Sequence, residues 1–276
     1  MIYMRDIERL KEIAKQCRKD VLRMTMKAKE GHIATSFSAM DILSVLYFST
    51  IKVDPKNHRW DGRDRFIMSK GHGAYAIYSI LARKGFFPVN ELDTIDKVGT
   101  AFGGHPDMKK VPGIELSTGS LGHGLSVSVG MAIAAKNDEK DYRVFTLMGD
   151  GECQEGSVWE AAMFASSRSL DNLIGIVDFN GLQAIGKTEN VLTLSPFAQK
   201  WNAFGWAVRE VNGHDYNELL KTFTELPFEM GKPSMIVAKT VKGKGVSFME
   251  NQINWHARVT TDEEYKKAVK EIEQYS

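Results

Sequence analysis

Val144-Phe-Thr-Leu-Met-Gly149-Asp150-Gly151-Glu152 opens the stretch that decides the fold, and Ile174-Gly-Ile-Val-Asp-Phe-Asn180-Gly-Leu182-Gln-Ala-Ile-Gly186 closes it. Each segment starts as an apolar run of strand length, and the residues between them have the length of a helix. In a βαβ unit of this kind, Asp150 and Asn180 emerge at neighbouring carboxyl ends of parallel strands, where open α/β sheets bind ligands. A carboxylate and an amide oxygen there suit a hard divalent cation that clamps phosphates, and the flanking glycine lets backbone approach closely.

Working outward, the chain alternates helices and strands. A helix is expected over residues 4–29, ended by Gly31, with Ser36 or Ser38 capping a second helix through Ser49. Arg65–Ser69 reads as a strand leading into a helix that reaches about Lys84, and Leu125–Lys136 reads as a helix of small residues. Ser195-Pro196 is expected to start a helix with proline in its first position. Trp206–Val211 and Met235–Lys239 read as strands with a helix from Tyr216 between them, and Thr260 or Thr261 caps the last helix. No linker, repeat or low-complexity tract divides the 276 residues. The expectation is one doubly wound, mostly parallel sheet flanked by helices, with 1–276 as a single domain.

Bulk properties remove several function classes. A formal net charge of +1 does not provide the basic face of a nucleic-acid binder. No apolar run approaches the ~20 residues of a membrane helix, and Arg5, Asp6, Glu8 and Arg9 do not fit a secretory signal. Cys17 and Cys153 are the only cysteines, too few for a disulfide framework or a four-thiolate metal site. Reduced thiols in a cytoplasmic protein are expected.

The chemistry-bearing residues collect in loops. His32, His72, His105 and His256 lie in glycine-rich or aromatic segments at element ends, suited to hydrogen-bonding hydroxyls and moving protons near neutral pH. No histidine pair has the i, i+4 spacing of a hydrolytic zinc site. His58 and His214 read as solvent-facing turn residues, and His123 fits either role. A phosphate-binding P-loop is absent, and Lys242-Gly-Lys-Gly reads as a solvated basic turn.

Together these residues resemble a family. Gly149-Asp150-Gly151 followed by Asn180 is similar to the thiamine diphosphate motif. Gly31-His32-Ile33, Ser69-Lys70-Gly71-His72-Gly73, Gly103-Gly104-His105-Pro106, Thr118-Gly119-Ser120-Leu121-Gly122 and Trp255-His256 narrow the resemblance to transketolase, in its order across essentially the whole chain. The resemblance implies a thiamine diphosphate-binding fold of the diphosphate-binding type. It implies Mg²⁺ (with Ca²⁺ or Mn²⁺ as substitutes) on Asp150, Asn180 and the Leu182 carbonyl. Gly151, His72 and His256 would contact the diphosphate or its surroundings. Gly119 and Leu121, with Ser120 in the same loop, would serve the aminopyrimidine, and Glu155 would sit near the cofactor and a subunit contact. His72 and His105 would bind the donor's C1 hydroxyl, while His32 and His256 would serve the hydroxyl whose proton moves.

Full-length transketolases are more than twice as long as this chain. The resemblance therefore implies the N-terminal subunit of a split transketolase, transferring a glycolaldehyde unit between sugar phosphates and inactive without a C-terminal, pyrimidine-domain subunit. Family dimers imply an α2β2 assembly. Ala257 stands where glycine is usual and Ala34 where glycine is common, so small local changes are expected in those loops. The alternatives are a deoxyxylulose-phosphate-synthase-like enzyme, a 2-oxo acid dehydrogenase α subunit, or a non-catalytic scaffold that retains the fold.

Overall fold

The computed structural model describes residues 2–275, with side-chain surroundings from Asp6 onward. Its strands are β1 (Arg65–Met68), β2 (Val144–Gly149), β3 (Leu173–Phe179), β4 (Ala207–Asn212) and β5 (Ser234–Lys239). Its helices are α1 (Ile2–Ala28), α2 (Ile33–Ser38), α3 (Met40–Val45), α4 (Ala74–Lys84), α5 (Gly124–Asn137), α6 (Gly156–Ser167), α7 (Thr188–Val191), α8 (Phe197–Ala203), α9 (Tyr216–Thr224) and α10 (Asp262–Gln274). The five strands pair in parallel throughout, in the order β1-β2-β3-β5-β4. The expected doubly wound sheet is therefore present, and every pairing in it is parallel.

Both faces of the sheet are covered, which is why β2 and β3 read as nearly continuous apolar runs, whereas β4, at the edge, exposes Arg209 and Glu210. Successive side chains still alternate between faces. Phe145, Leu147, Ile174, Ile176 and Ile236 join the core formed with α1, α3 and α4, whereas Val144, Met148, Leu173, Val177 and Val237 join the core formed with α5, α6 and α8. Full burial of one such side chain contributes about 1.5–3 kcal/mol.

The order of the strands places the site. β2→β3 and β3→β4 advance in one direction, and their helices α6 and α8 lie on one face. β4→β5 turns back, so a right-handed crossover requires its helix on the other face. α9 is there, with Tyr216, Leu219 and Phe223 in the first core. The chain leaving β3 runs to the second core, whereas the chain leaving β5 returns to the first core through Val246, Met249 and α10, and a crevice opens between their carboxyl ends.

Several local expectations need correction. α1 ends at Ala28, and Lys29 already has a left-handed φ of 56°, two residues before Gly31. Ser36 and Ser38 are not caps: the helix starts at Ile33, directly after His32. Ser36 Oγ instead donates to the His32 carbonyl at 2.9 Å and Ser38 Oγ to the Thr35 carbonyl at 3.1 Å, the usual satisfaction of a hydroxyl inside a buried helix. Pro196 occupies the N-cap of α8, not its first turn, because its backbone is extended (ψ 114°). Thr261 rather than Thr260 caps α10, in a reciprocal capping box with Glu264.

Candidate functional site

The cleft at the carboxyl end of the sheet has a volume of about 380 Å³, and His32, His72, His105, His256, Asp150 and Asn180 all line it. Four separate segments contribute the histidines. The His32 ring centroid lies 5.4 Å from that of His72, 5.3 Å from His256 and 6.4 Å from His105, and His72 and His256 are 5.6 Å apart. His32 is the residue at the entrance of α2. His72 sits in the tight turn between β1 and α4, a turn that only glycine permits at position 71. A Cβ on Gly71 would stand 2.7 Å from the Thr118 carbonyl carbon and 2.8 Å from Gly119 N. That close approach brings Gly119 and Leu121 into the cleft lining. Tyr78 Oη donates to the His105 carbonyl at 2.7 Å, fixing the backbone beneath that exposed imidazole.

Three of these imidazoles, His32, His72 and His256, are held neutral. Burial pushes His72 well below the usual histidine range, with Lys70 adding to the effect. Burial and then His105 lower His32. His256 is pushed down to about 4 by burial, Lys242 and His32. At neutral pH such rings present one donor and one acceptor nitrogen each.

The expected oxygen donors lie at the ends of β2 and β3, as their pairing requires: Gly149 is opposite Asp178, one residue before Asp150. Asp150 Oδ1 accepts from Gly151 N–H at 2.8 Å, and Oδ2 accepts from Gly181 N–H at 2.7 Å and Thr188 Oγ1 at 3.0 Å. Among the described residues these hydrogen-bond partners are neutral, although Asp150 is only 2% exposed. Burial, and then Asp178, raise its pKa. A buried carboxylate supported only by dipoles calls for a cation. Asn180 Oδ1 accepts from Leu182 N–H at 3.1 Å, and the Leu182 carbonyl accepts from Lys242 Nζ at 3.1 Å, so that carbonyl already serves an ammonium. Carboxylate, amide oxygen and carbonyl form an all-oxygen donor set of the kind Mg²⁺ or Ca²⁺ prefers. The residues present fit such an ion. Among the described residues no cluster of three His, Cys, Asp or Glu side chains is placed to hold a metal.

Several functional side chains escaped the sequence reading. Glu152, 2% exposed, accepts from Ser69 Oγ, from Gly122 N–H at 3.0 Å and from Gly149 N–H at 3.1 Å, tying three site segments together. Lys70 is buried and pairs with Asp178, which also accepts from Ser38 and Thr240 hydroxyls. An acidic residue inside the apolar run of β3 was the available signal, since a buried charge needs a partner. Lys242 is not solvated: it is 2% exposed and donates to His256 Nδ1 at 2.9 Å as well as to Leu182. Burial and Lys70 push its pKa down to about 8. His214 is not a solvent-facing turn residue either, being held between Asp41 and the backbone of Val241. Gln183 lies against Gly151 with its Nε2 buried and unpartnered.

The remaining expected residues lie at the margin. Glu155 is exposed and lines the rim of the cleft, while Ser120 is exposed and its side chain is not among the lining. His123 is exposed, with Nδ1 3.1 Å from the Leu121 carbonyl. His58 is half-buried in its loop. Cys17 and Cys153 are buried free thiols.

Comparison with known proteins follows the same line. The sequence family described as "Transketolase, thiamine diphosphate binding domain" matches residues 10–273. The chain is 45% identical over 266 residues to an apulose-4-phosphate transketolase subunit of Phocaeicola vulgatus, covering 96% of this chain and 94% of that protein. It is 44% identical to the 6-deoxy-6-sulfo-D-fructose transketolase subunit SqwG of a Clostridium species, covering 96% of each. Against human transketolase it is 36% identical, covering 96% of this chain and 42% of that one. The crystal structure of transketolase from Campylobacter jejuni superposes with a TM-score of 0.90 at 33% identity, over 96% of this chain and 42% of that chain. The chain thus spans about two fifths of the longer transketolases and nearly all of the two proteins named as transketolase subunits.

Proposed function

The chain belongs to the transketolase thiamine diphosphate-binding family, and from that premise we propose that it is the diphosphate-binding subunit of a split ketol transferase. In this reading residues 1–276 act as one domain in the cytoplasm, assembled α2β2 with a pyrimidine-domain subunit. The observation that carries it is the meeting of four histidines with the Asp150, Asn180 and Leu182 oxygens in one cleft. Near-complete coverage of the two relatives named as transketolase subunits supports the need for a partner chain.

Bound thiamine diphosphate supplies the carbanion chemistry that breaks and remakes the bond next to a ketose carbonyl. The chain's own residues hold, orient and move protons. Asp150, Asn180 and the Leu182 carbonyl would hold Mg²⁺, or Ca²⁺ or Mn²⁺ in its place. Gly151, whose N–H donates to Asp150 Oδ1 in the ligand-free chain, would lie beside the diphosphate, and Lys70 and Lys242 would offset its charge. Gly119, Ser120 and Leu121 carry the loop that meets the aminopyrimidine, and Glu155 stands at the rim facing the partner. His72 and His105 hydrogen-bond the donor hydroxyl nearest the carbonyl. His32 and His256, 5.3 Å apart, take and return the proton of the hydroxyl beside the breaking bond, as neutral imidazoles can. The relatives named for apulose 4-phosphate and a sulfofructose support a ketose donor with an anionic tail.

The test is reconstitution. The purified chain is combined with a pyrimidine-domain subunit, thiamine diphosphate, Mg²⁺ and a ketose/aldose phosphate pair. Two-carbon transfer is expected only when both chains are present; full activity from this chain alone would reject the split-enzyme reading.

A further inference from the structure

The loop that carries Lys242 is gripped from behind, away from the cleft. Three of the hydrogen bonds that hold its backbone come from that side, while the Lys242 carbonyl accepts from Asn251 N–H at 2.9 Å. Val241 N–H donates to His214 Nε2 at 2.8 Å, Gly243 N–H donates to the Ala34 carbonyl at 2.9 Å, and Arg18 Nε donates to the Lys244 carbonyl at 3.1 Å. Two of the three grips belong to one buried network. His214 Nδ1 lies 2.7 Å from Asp41 Oδ2, and the Arg18 guanidinium holds the same carboxylate with contacts of 2.9 and 2.8 Å. Tyr216 Oη donates to Asp41 Oδ1 at 2.7 Å. Arg18 and Asp41 are both fully buried.

The partners assign the tautomer of His214. A backbone N–H can only donate, so Nε2 is the bare nitrogen and accepts from Val241. The ring proton therefore sits on Nδ1 and is donated to Asp41. One residue beyond Val241, the side chain of Lys242 reaches the Leu182 carbonyl and His256 Nδ1. Losing the acceptor would leave the Val241 N–H without its partner and release the anchor immediately before that lysine. An orphaned backbone donor in such a place costs free energy, and the loop can relieve the cost by moving.

We propose that His214 is a positioning residue for the cofactor cleft. Held by Asp41 in its Nδ1–H tautomer, it fixes Val241, and through it sets Lys242 against the Leu182 carbonyl and His256. It is not among the residues that line the cleft. The inference rests on the thiamine diphosphate reading given above, and it adds a residue outside the cleft to the apparatus of binding.

The test compares His214→Gln, whose carboxamide oxygen can still accept from Val241, with His214→Phe, which offers no acceptor. Affinity of the full chain for thiamine diphosphate with Mg²⁺ is measured by calorimetry, with the partner subunit present. His214→Phe is expected to weaken binding about tenfold, which is ~1.4 kcal/mol, while His214→Gln restores it to within about threefold of wild type. A purely structural role would lower the unfolding midpoint of both variants and leave the affinity of the folded protein unchanged, which would overturn the inference. If the wild-type protein itself binds no thiamine diphosphate, the functional reading fails instead. The nitrogen-15 spectrum of wild-type His214 gives a readout that depends on no variant's folding. It should show a bare Nε2 and a protonated Nδ1; an Nε2–H ring or an imidazolium would refute the assignment.

Discussion

Replacing Arg18 by Met removes a guanidinium that is fully buried and makes four hydrogen bonds, two to Asp41 and one each to the carbonyls of Phe37 and Lys244. The methionine fills much of the volume but leaves the Asp41 carboxylate, also fully buried, with Tyr216 and His214 as its remaining donors. Breaking a buried pair from one side costs about 3–5 kcal/mol, because the surviving charge is neither solvated nor compensated. A loss of that size at pH 7 is expected in urea denaturation followed by far-UV circular dichroism, read from the midpoint at unchanged m. The pH dependence separates charge from packing. In the wild type burial would raise Asp41, but Arg18 and then His214 hold it well below the usual carboxylate range. Its stabilisation is therefore present above the unfolded pKa of ~3.9 and lost as pH falls through the lower folded value. Without Arg18, burial dominates, the folded pKa rises above the unfolded one, and protonation relieves the variant as the medium is acidified. The gap between the two proteins should shrink from pH 7 towards pH 4. A loss below about 1 kcal/mol, or one equal at both pH values, would refute the reasoning and reduce Arg18 to a space-filling role.

Asp150→Ala should abolish Mg²⁺-dependent binding of thiamine diphosphate, a loss beyond the ~10–100-fold typical of outer-shell changes, while far-UV circular dichroism stays native; retained calorimetric binding would contradict the ligand assignment. Gly71→Ala drives a Cβ to within 2.7 Å of the Thr118 carbonyl carbon, so thermal unfolding should reveal a loss of about 1–3 kcal/mol, and a midpoint equal to wild type would show that the turn can yield. His32, His72 and His256 all have folded pKa values below the unfolded value of ~6.5, with His256 near 4. The unfolded chain then binds more protons, so the ligand-free chain should lose stability as pH falls from about 6.5 towards 4 and recover it fully above that window. Chemical denaturation at stepped pH reads this directly, and a flat profile would mean that the imidazoles titrate alike in the folded and unfolded chain.

Much of this was legible in the chain because backbone and chemistry gave the same signal. Asp150 and Asn180 follow strands whose apolar runs admit no other reading, so their placement at adjacent strand ends came with the fold. The four histidines stood out because glycine or aromatic residues beside them mark turns at element ends. Residues that act through distant partners were silent. Lys242 sits in Lys-Gly-Lys-Gly, a composition equally suited to a solvated turn; its burial depends on Leu182 and His256 arriving from other segments. His214 failed for the same reason, since Asn-Gly-His-Asp marks a turn but does not reveal Asp41 beside it. The serine expectations in the second helix erred differently: a hydroxyl that can cap can also bond back one turn inside a buried helix, and local sequence does not choose between the two.

Glu152 has a consequence for how the cleft comes into being. One carboxylate accepts hydrogen bonds from the end of β1, from the loop before α5 and from the end of β2. The first two of those segments are far from Glu152 in sequence, so their contacts do not exist until the sheet edge has assembled. Closure of such long loops costs chain entropy that the contacts offset only once both segments are in place. The cradle is therefore a product of the finished fold. Amide hydrogens of Gly122 and Gly149 should exchange only by openings that also disrupt the sheet edge, and the capacity to hold a cofactor should appear with the last cooperative step of folding rather than with any fragment.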